Sequence, residues 1–371
     1  MPIVAHVVGA RPNFMKAAPV VAGLRKYSNI EQIFIHTGQH YDENMSEIFF
    51  KQLELPRPDV NLNVGSGSHA VQTAEIMVRL ENLLNEIKPQ LVLVYGDVNS
   101  TLAGALVCAK LLIPVAHVES GLRSFDRTMP EEINRILTDH ISDLLFTTSV
   151  DANENLVREG IPSEKIFLVG NTMIDTLVKL LPKAESLWNG DKFILDGNEY
   201  LAKNYILVTL HRPSNVDNLE KLKDIVNILI DTSRDVSIIF PVHPRTRNNL
   251  NNLIKNLNLN HKLHFTEPLG YLEFLALQRH AKLVITDSGG VQEETTYLGV
   301  PCLTLRNNTE RPITVRIGTN KLVKDVRNLK NFITEALQSD GTIHYEIPPL
   351  WDGKSGDRIA KIVVDYVNRQ I

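Results

Sequence analysis

The chain has 371 residues, 43% of them hydrophobic and 22% charged, with a formal net charge of −4 at pH 7. That length exceeds one ordinary core and predicts two domains of α/β size, and the composition is that of a soluble globular protein. The mildly acidic balance removes the electrostatic case for nucleic acid or an anionic membrane as partner, and no apolar run reaches the roughly 18 residues of a membrane span.

In chain order, strands are predicted over 3–8, 32–36, 91–95, 115–118 and 144–147, then over 206–210, 237–242, 263–265, 283–286 and 302–305. Helical patterns fall between them over 13–27, 70–88, 100–112, 131–142 and 219–232, with a last one over 358–368. The opening strand runs straight into a loop, without the charged start and long apolar stretch of a signal peptide, so a cytoplasmic location is expected. Cys108 and Cys302 sit in apolar segments without metal-ligand spacing and read as buried, reduced thiols. Several strands are apolar on both faces, as parallel strands covered by helices are. The alternation predicts βαβ units in open, doubly wound sheets. The stretch 188–198, rich in glycine and aspartate, reads as a linker or surface excursion, which puts the boundary between residues 171 and 204. The expected domains are 1–172 and 173–352, with 353–371 a terminal helix able to pack back on the first.

Polar residues follow the strands with regularity. Arg11 follows the first, Gln39 and His40 the second, Asp97 the third and Glu119 the fourth; later, His211, His243 and Asp287-Ser288 follow strands of the second half. Ligands of open parallel sheets bind at the strands' carboxyl ends, so these residues would line one interdomain cleft if the two sheets face each other.

The segment Thr286-Asp-Ser-Gly-Gly-Val-Gln-Glu-Glu294 reads as a strand, a turn with paired glycines and a helix that closes at Gly299. Its glycines admit close backbone approach, and a helix start presents free N–H groups to an anion; simple compensation of the helix dipole by Glu293 and Glu294 is the alternative. Arg11 and Lys16, at the start of the first predicted helix, suit a phosphate or carboxylate, or else are solvated. Glu131 and Glu132 follow Pro130 at a helix start, where an acid favours the dipole whether or not it has another task. Asp97 and Glu119 end buried strands, and carboxylates gathered there can shift one another into acid and base. His211 and His243 are titratable groups at the edge of the second sheet, or hydrogen-bonded structural residues. Metal ligation is not expected, because no His-x-x-x-His pair or compact His/Cys/Asp cluster occurs. A lone Gly9 is not a dinucleotide fingerprint, and no phosphate-cradling P-loop or nucleophile elbow is present. Glu310 and Arg311, after the strand that follows the glycine pair, add to the anion reading.

Taken together, Gly9-Ala-Arg-Pro12, Thr37-Gly-Gln-His40, Gly96-Asp97, His117-Val-Glu-Ser-Gly-Leu-Arg123, Pro130-Glu-Glu-Ile-Asn-Arg135, Gly170-Asn171, His211-Arg212, Pro241-Val-His243, the 286–294 segment and Thr309-Glu-Arg-Pro312 resemble the non-hydrolysing UDP-N-acetylglucosamine 2-epimerases. They stand in the family's order over residues 3 to about 323. The resemblance implies an α/β protein of two Rossmann-like doubly wound domains facing across a cleft (GT-B-like), a homodimer, and reversible conversion of UDP-GlcNAc to UDP-ManNAc in polysaccharide biosynthesis without cofactor or metal. It implies elimination of UDP to a 2-acetamidoglucal and re-addition. It assigns Asp97, Glu119, Glu131 and His211 as catalytic, and Arg11, Lys16, His243, Ser288, Gly289, Gly290, Glu294 and Arg311 to the UDP-sugar. In that assignment the diphosphate lies on the Ser288-Gly289-Gly290 turn and Glu294 takes the ribose hydroxyls. Two departures stand out. His211-Arg-Pro-Ser-Asn215 and Gln39-His-Tyr-Asp-Glu43 differ from segments associated with an activating second UDP-GlcNAc in many bacterial members, which puts such activation in doubt. The same style of sequence resembles relatives acting on UDP-diacetamido-uronic acids. A hydrolytic epimerase releasing ManNAc and UDP, and a GT-B glycosyltransferase, are the other readings.

Overall fold

The computed structural model describes residues 1–39, 52–255, 262–338 and 344–370; His40 and the rest of the 39–43 segment lie outside the described residues. The chain divides into two compact units, 1–176 with 349–371, and 177–348.

Among the described residues, the first unit holds a parallel sheet of β1 (Ile3–Val8), β2 (Glu31–His36), β3 (Val60–Asn61), β4 (Leu91–Tyr95), β5 (Val115–Ser120), β6 (Leu144–Thr147) and β7 (Ile166–Leu168). Their order across the sheet is β3-β2-β1-β4-β5-β6-β7. The helices between them are α1 (Arg11–Leu24), α2 (His69–Ile87), α3 (Asn99–Lys110), α4 (Pro130–Ile141), α5 (Val150–Arg158) and α6 (Thr172–Glu185); the division between the units falls within α6. All five residues of β4 are buried, as expected of a central strand covered on both faces. In α2 the buried side chains Gln72, Ile76, Leu80 and Leu84 recur every four residues, one stripe turned to the sheet. Each such apolar side chain contributes roughly 1.5–3 kcal/mol by leaving water. Ser68 opens that helix by accepting from Val71 N, and Lys88 closes it in the left-handed conformation, φ 46°.

The second unit repeats the plan. A short antiparallel pair, β8 (Lys192–Leu195) and β9 (Asn198–Leu201), precedes a parallel sheet of β10 (Tyr205–Thr209), β11 (Ser237–Pro241), β12 (Leu263–Thr266), β13 (Leu283–Thr286), β14 (Cys302–Thr304) and β15 (Asn320–Leu322). The sheet order is β12-β11-β10-β13-β14-β15. Its helices are α7 (Pro213–Val216), α8 (Leu219–Thr232), α9 (Pro244–Ile254), α10 (Tyr271–His280), α11 (Gly289–Leu298), α12 (Ile313–Arg316) and α13 (Leu329–Gln338). Both sheets therefore reverse direction beside their first strand, between β1 and β4 and between β10 and β13. Those are the switch points where such sheets take ligands. None of the helices among the described residues is long and apolar enough to cross a membrane.

The final helix, α14 (Ser355–Asn368), packs in the first unit against α1. The backbones meet closely: a Cβ on Gly23 would stand 2.7 Å from the Gly356 carbonyl oxygen, and one on Gly356 would stand 2.3 Å from that of Pro19. Asp175 accepts from Gly356 N at 2.7 Å, and Ile359, Ala360, Val363, Val364 and Val367 are buried.

Of the two readings of 188–198, the surface excursion is the one found: the Trp188 ring lies tilted 4.1 Å from the His280 ring and donates to the Ala276 carbonyl at 3.3 Å, and the partly exposed β8–β9 hairpin begins four residues on. The hairpin turns at Asp196-Gly197, both with positive φ (48° and 76°), the conformation that this residue pair favours in a two-residue loop. The glycine and aspartate that suggested a loose segment are the turn itself.

Candidate active site

At the first switch point, Asn13 joins three pieces of backbone. Its side-chain oxygen accepts from Gly9 N (3.0 Å) and Ala10 N (3.1 Å), and its amide donates to the Tyr95 carbonyl at 2.7 Å. The start of α1 is thereby tied to the end of β4. One turn further along α1, Lys16 is buried and its ammonium donates to Glu119 Oε2. Glu119 reaches that position because β5 has an irregularity between Val118 and Ser120, where Glu119 adopts φ +73°. Gly96, φ +66°, leaves the space: a Cβ there would lie 2.6 Å from Lys16 Nζ and 3.2 Å from Glu119 Oε2.

Asp97 follows Gly96 and is held on two sides. Arg135 Nη1 donates to Asp97 Oδ2 at 2.5 Å, and Asn134 Nδ2 donates to the Asp97 carbonyl at 2.8 Å. Arg135 is in turn fixed by Glu132 (Nη2 to Oε2, 2.7 Å), which also accepts from Ser124 N and Phe125 N. Burial alone would raise the Glu132 carboxyl, but these donors hold it below its ordinary value. Glu132 is thus a structural acid. Glu131, its neighbour at the start of α4, is exposed, as is Arg11 at the start of α1. Behind the site His117 contacts Asp139 (Nδ1 to Oδ1, 2.6 Å) and the Gly96 carbonyl (Nε2 to O, 2.7 Å). Gln39, Thr37 and Ser100 form a polar group at the edge of the sheet: Ser100 donates to Gln39 Oε1 through N (3.0 Å) and Oγ (2.6 Å), and its Oγ lies 2.8 Å from Thr37 Oγ1.

At the second switch point the organiser is Asp287, fully buried after β13. It accepts from His211 N (3.1 Å), Arg212 N (2.9 Å) and Asn215 Nδ2 (3.0 Å), with His211 Nδ1 at 3.2 Å. Burial pushes the His211 ring below its ordinary pKa; Asp287 opposes that shift, while Arg212, Arg245 and Arg306 add to it. The His243 ring lies 5.4 Å from that of His211, and His243 caps α9 by accepting from Arg245 N at 3.1 Å.

The turn Ser288-Gly289-Gly290 opens α11: Ser288 N–H donates to Thr286 Oγ1 at 3.0 Å, and the Ser288 side chain does not cap the helix. A Cβ on Gly289 would stand 2.4 Å from Arg311 Nη1 and 2.8 Å from Glu310 Oε1, so the glycine lets that pair approach the turn. Arg311 donates to Glu310 through Nη1, and its Nε lies 2.9 Å from Glu293 Oε1 as an ion pair; Arg306 Nη2 donates to Glu310 Oε2 at 2.7 Å. A helix start lined by a guanidinium is suited to a polyanion. Glu294 lies apart from these: it is buried and accepts from Tyr271 Oη at 2.9 Å. Burial pushes its carboxyl up to about 7, with the Tyr271 hydrogen bond pulling partly back. Among the described residues no three His, Cys, Asp or Glu side chains gather so as to hold a metal ion.

The structure thus brings Lys16, Asp97 and Glu119 together in one unit, and His211, His243, Ser288, Gly289, Gly290 and Arg311 around one sheet edge in the other. Sequence reasoning missed Asn13, Arg135, Asp287's organising role and Arg306. Arg135 had a signal: it lies three residues from Glu132, one helical turn, on the buried face of α4.

Comparison with known proteins identifies the family. The family described as UDP-N-acetylglucosamine 2-epimerase matches residues 22–364. The chain is 49% identical over 361 residues to the UDP-N-acetylglucosamine 2-epimerase of Methanocaldococcus jannaschii, covering 96% of this chain and 97% of that protein. It is 40% identical over 366 residues to the UDP-2,3-diacetamido-2,3-dideoxy-D-glucuronate 2-epimerase of Pseudomonas aeruginosa, at 96% and 97% coverage. Among solved structures, the M. jannaschii UDP-GlcNAc 2-epimerase in complex with UDP-GlcNAc and UDP superposes with a TM-score of 0.87 at 47% identity, covering 98% of this chain and 99% of that one.

Proposed function

Because the chain belongs to the UDP-N-acetylglucosamine 2-epimerase family, we propose that it interconverts UDP-GlcNAc and UDP-ManNAc, and that it does so without net hydrolysis. The observation that carries the reading is the placement of two carboxylates, Asp97 and Glu119, at the ends of the adjacent strands β4 and β5, with Arg135 against Asp97 and Lys16 against Glu119. In the forward step a base takes the C2 proton while the C1–O bond breaks. UDP leaves with the bonding electrons, and a C1=C2 double bond forms. In the return step a UDP oxygen attacks C1 and the proton is delivered to the opposite face of C2. Acid and base groups on both faces are needed, and carboxylates also stabilise the cationic character that develops at C1. Asp97, Glu119, Glu131 and His211 are the proposed catalytic set. The Ser288-Gly289-Gly290 turn with Arg311, Arg11, Lys16 and His243 is assigned to the nucleotide sugar, and Glu294 to the ribose hydroxyls.

Incubation with UDP-GlcNAc in heavy water, followed by NMR, tests the reading. UDP-ManNAc carrying deuterium at C2 is the expected product. Free ManNAc with UDP would replace the non-hydrolysing reading by a hydrolytic one. The 40% identity to the Pseudomonas enzyme favours one second substrate: turnover of a UDP-2,3-diacetamido-uronic acid with none of UDP-GlcNAc would transfer the same chemistry to that sugar. Asp97→Asn is expected to abolish exchange while leaving UDP binding intact.

A further inference from the structure

The His117 ring has acceptors on both sides. Nε2 lies 2.7 Å from the Gly96 carbonyl oxygen, which has no proton to give, so Nε2 carries one. Nδ1 lies 2.6 Å from Asp139 Oδ1. The other Asp139 oxygen receives Gly121 N at 3.1 Å and Arg123 Nη1 at 2.7 Å, the arrangement of an ionised carboxylate. An ionised Asp139 also requires a proton on Nδ1. Arg123 then forks onto Glu159 (Nε to Oε1, 2.8 Å; Nη2 to Oε2, 2.7 Å), which His140 approaches from α4 at 3.9 Å. His117, Asp139 and Arg123 are all shut away from solvent. With His117 as imidazolium, the row His117–Asp139–Arg123–Glu159 alternates in sign and sums to zero, and its half-buried end, Glu159, is the member that reaches solvent; with a neutral ring, the fully buried Asp139 carboxylate would face an unprotonated ring nitrogen, a costly arrangement.

We infer that His117 is a buried imidazolium whose task is to position Asp97: it clamps the carbonyl of the Gly96–Asp97 peptide, and Asp139 and Arg123 hold it in that state. The Gly96 residue is gripped by β5 at both ends, since its N–H donates to the Val118 carbonyl at 2.9 Å while its C=O accepts from His117. Such a double clamp sets where the Asp97 side chain starts, and Arg135 and Asn134 complete its confinement. A positive-φ glycine is the residue freest to rotate its peptide, so a clamp has most effect here. The inference rests on the catalytic role proposed for Asp97, but the charge state of His117 does not.

Two measurements test it. In nitrogen-15 NMR of the full chain, the His117 ring, assigned by its loss in His117→Gln, is expected to carry protons on both nitrogens at neutral pH and to lose one in Asp139→Asn; an unprotonated nitrogen in the native protein overturns the inference. In kinetics, His117→Ala is expected to lower kcat at least tenfold with KM and UDP affinity within about threefold, the signature of lost transition-state geometry. His117→Gln, which keeps a donor toward Gly96, should recover part of the loss. A folded His117→Ala protein with native kcat overturns the positioning role. Should that variant not fold, His117→Gln and the NMR decide. Absence of epimerisation by the native protein would instead sink the proposed function and leave the NMR result standing.

Discussion

The ribose role proposed for Glu294 would link nucleotide binding to pH. In the free protein burial raises its carboxyl from an ordinary 4.5 to about 7, so near neutrality it is partly protonated. If it accepts from both ribose hydroxyls it must bind UDP as the carboxylate, and the proton has to leave first. Below pH 7 that costs about 1.4 kcal/mol per pH unit. Between pH 8 and pH 5 the contribution of Glu294 to UDP affinity should therefore fall about a hundredfold, roughly 2.7 kcal/mol over the two units below 7. Titration calorimetry of UDP in buffers of differing ionisation enthalpy reads both the affinity and the proton released. UDP's own phosphate titrates too, so the comparison is with Glu294→Gln, in which only the phosphate contribution remains. Parallel pH profiles for the native protein and Glu294→Gln would refute the reasoning. The linkage has a second face in the unliganded protein. An acid whose folded pKa lies above its unfolded value stabilises the fold while protonated, so stability falls as pH rises from about 4.5 to 7. The loss approaches ~3 kcal/mol and levels off above that window; Glu294→Gln should abolish this slope in urea unfolding.

Two further substitutions probe the switch points. Gly96→Ala forces a Cβ into a positive-φ position and to within 2.6 Å of Lys16 Nζ; thermal melting should record a loss of about 1–2 kcal/mol, and kcat should fall at least tenfold as Lys16 is pushed off Glu119, whereas native kcat would separate that ion pair from turnover. Asp287→Ala strands the His211 and Arg212 N–H groups and leaves the Asn215 amide only its bond to the Leu305 carbonyl; urea unfolding should show a loss of about 2–4 kcal/mol with weakened UDP binding, and an unchanged midpoint would mean that the 211–215 loop is held by other contacts.

The long elements were legible because each writes its own periodicity. β1, β4, β6 and β13 fall at the predicted residues, and the buried strands read as apolar runs. The short strands β3 and β15 went unread, since they lie in no apolar run, unlike the equally short β14, and owe their conformation to the neighbouring strand. At the site, the positions after each strand could be found because parallel sheets put ligands there. What joins those positions could not: Asn13 meets Tyr95 across 82 residues, and Asp287 meets the 211–215 loop across more than 70. Glu132, buried and engaged, differs from Glu131, exposed beside it, because it shares the buried face of α4 with Arg135 and because the loop 124–125 folds over it; the loop's part has no local sign.

The return of α14 to α1 reverses two orders. Residues 1–176 are synthesised before 177–348, yet the unit they belong to lacks a helix until 349–371 has been made, whereas the unit 177–348 is one uninterrupted stretch. The unit that carries Asp97 and Glu119 is begun before the other and completed after it. During synthesis, α1 waits with its Gly23 face uncovered, and a chain lacking 349–371 keeps the whole Ser288-Gly289-Gly290 turn but loses the helix that covers that face.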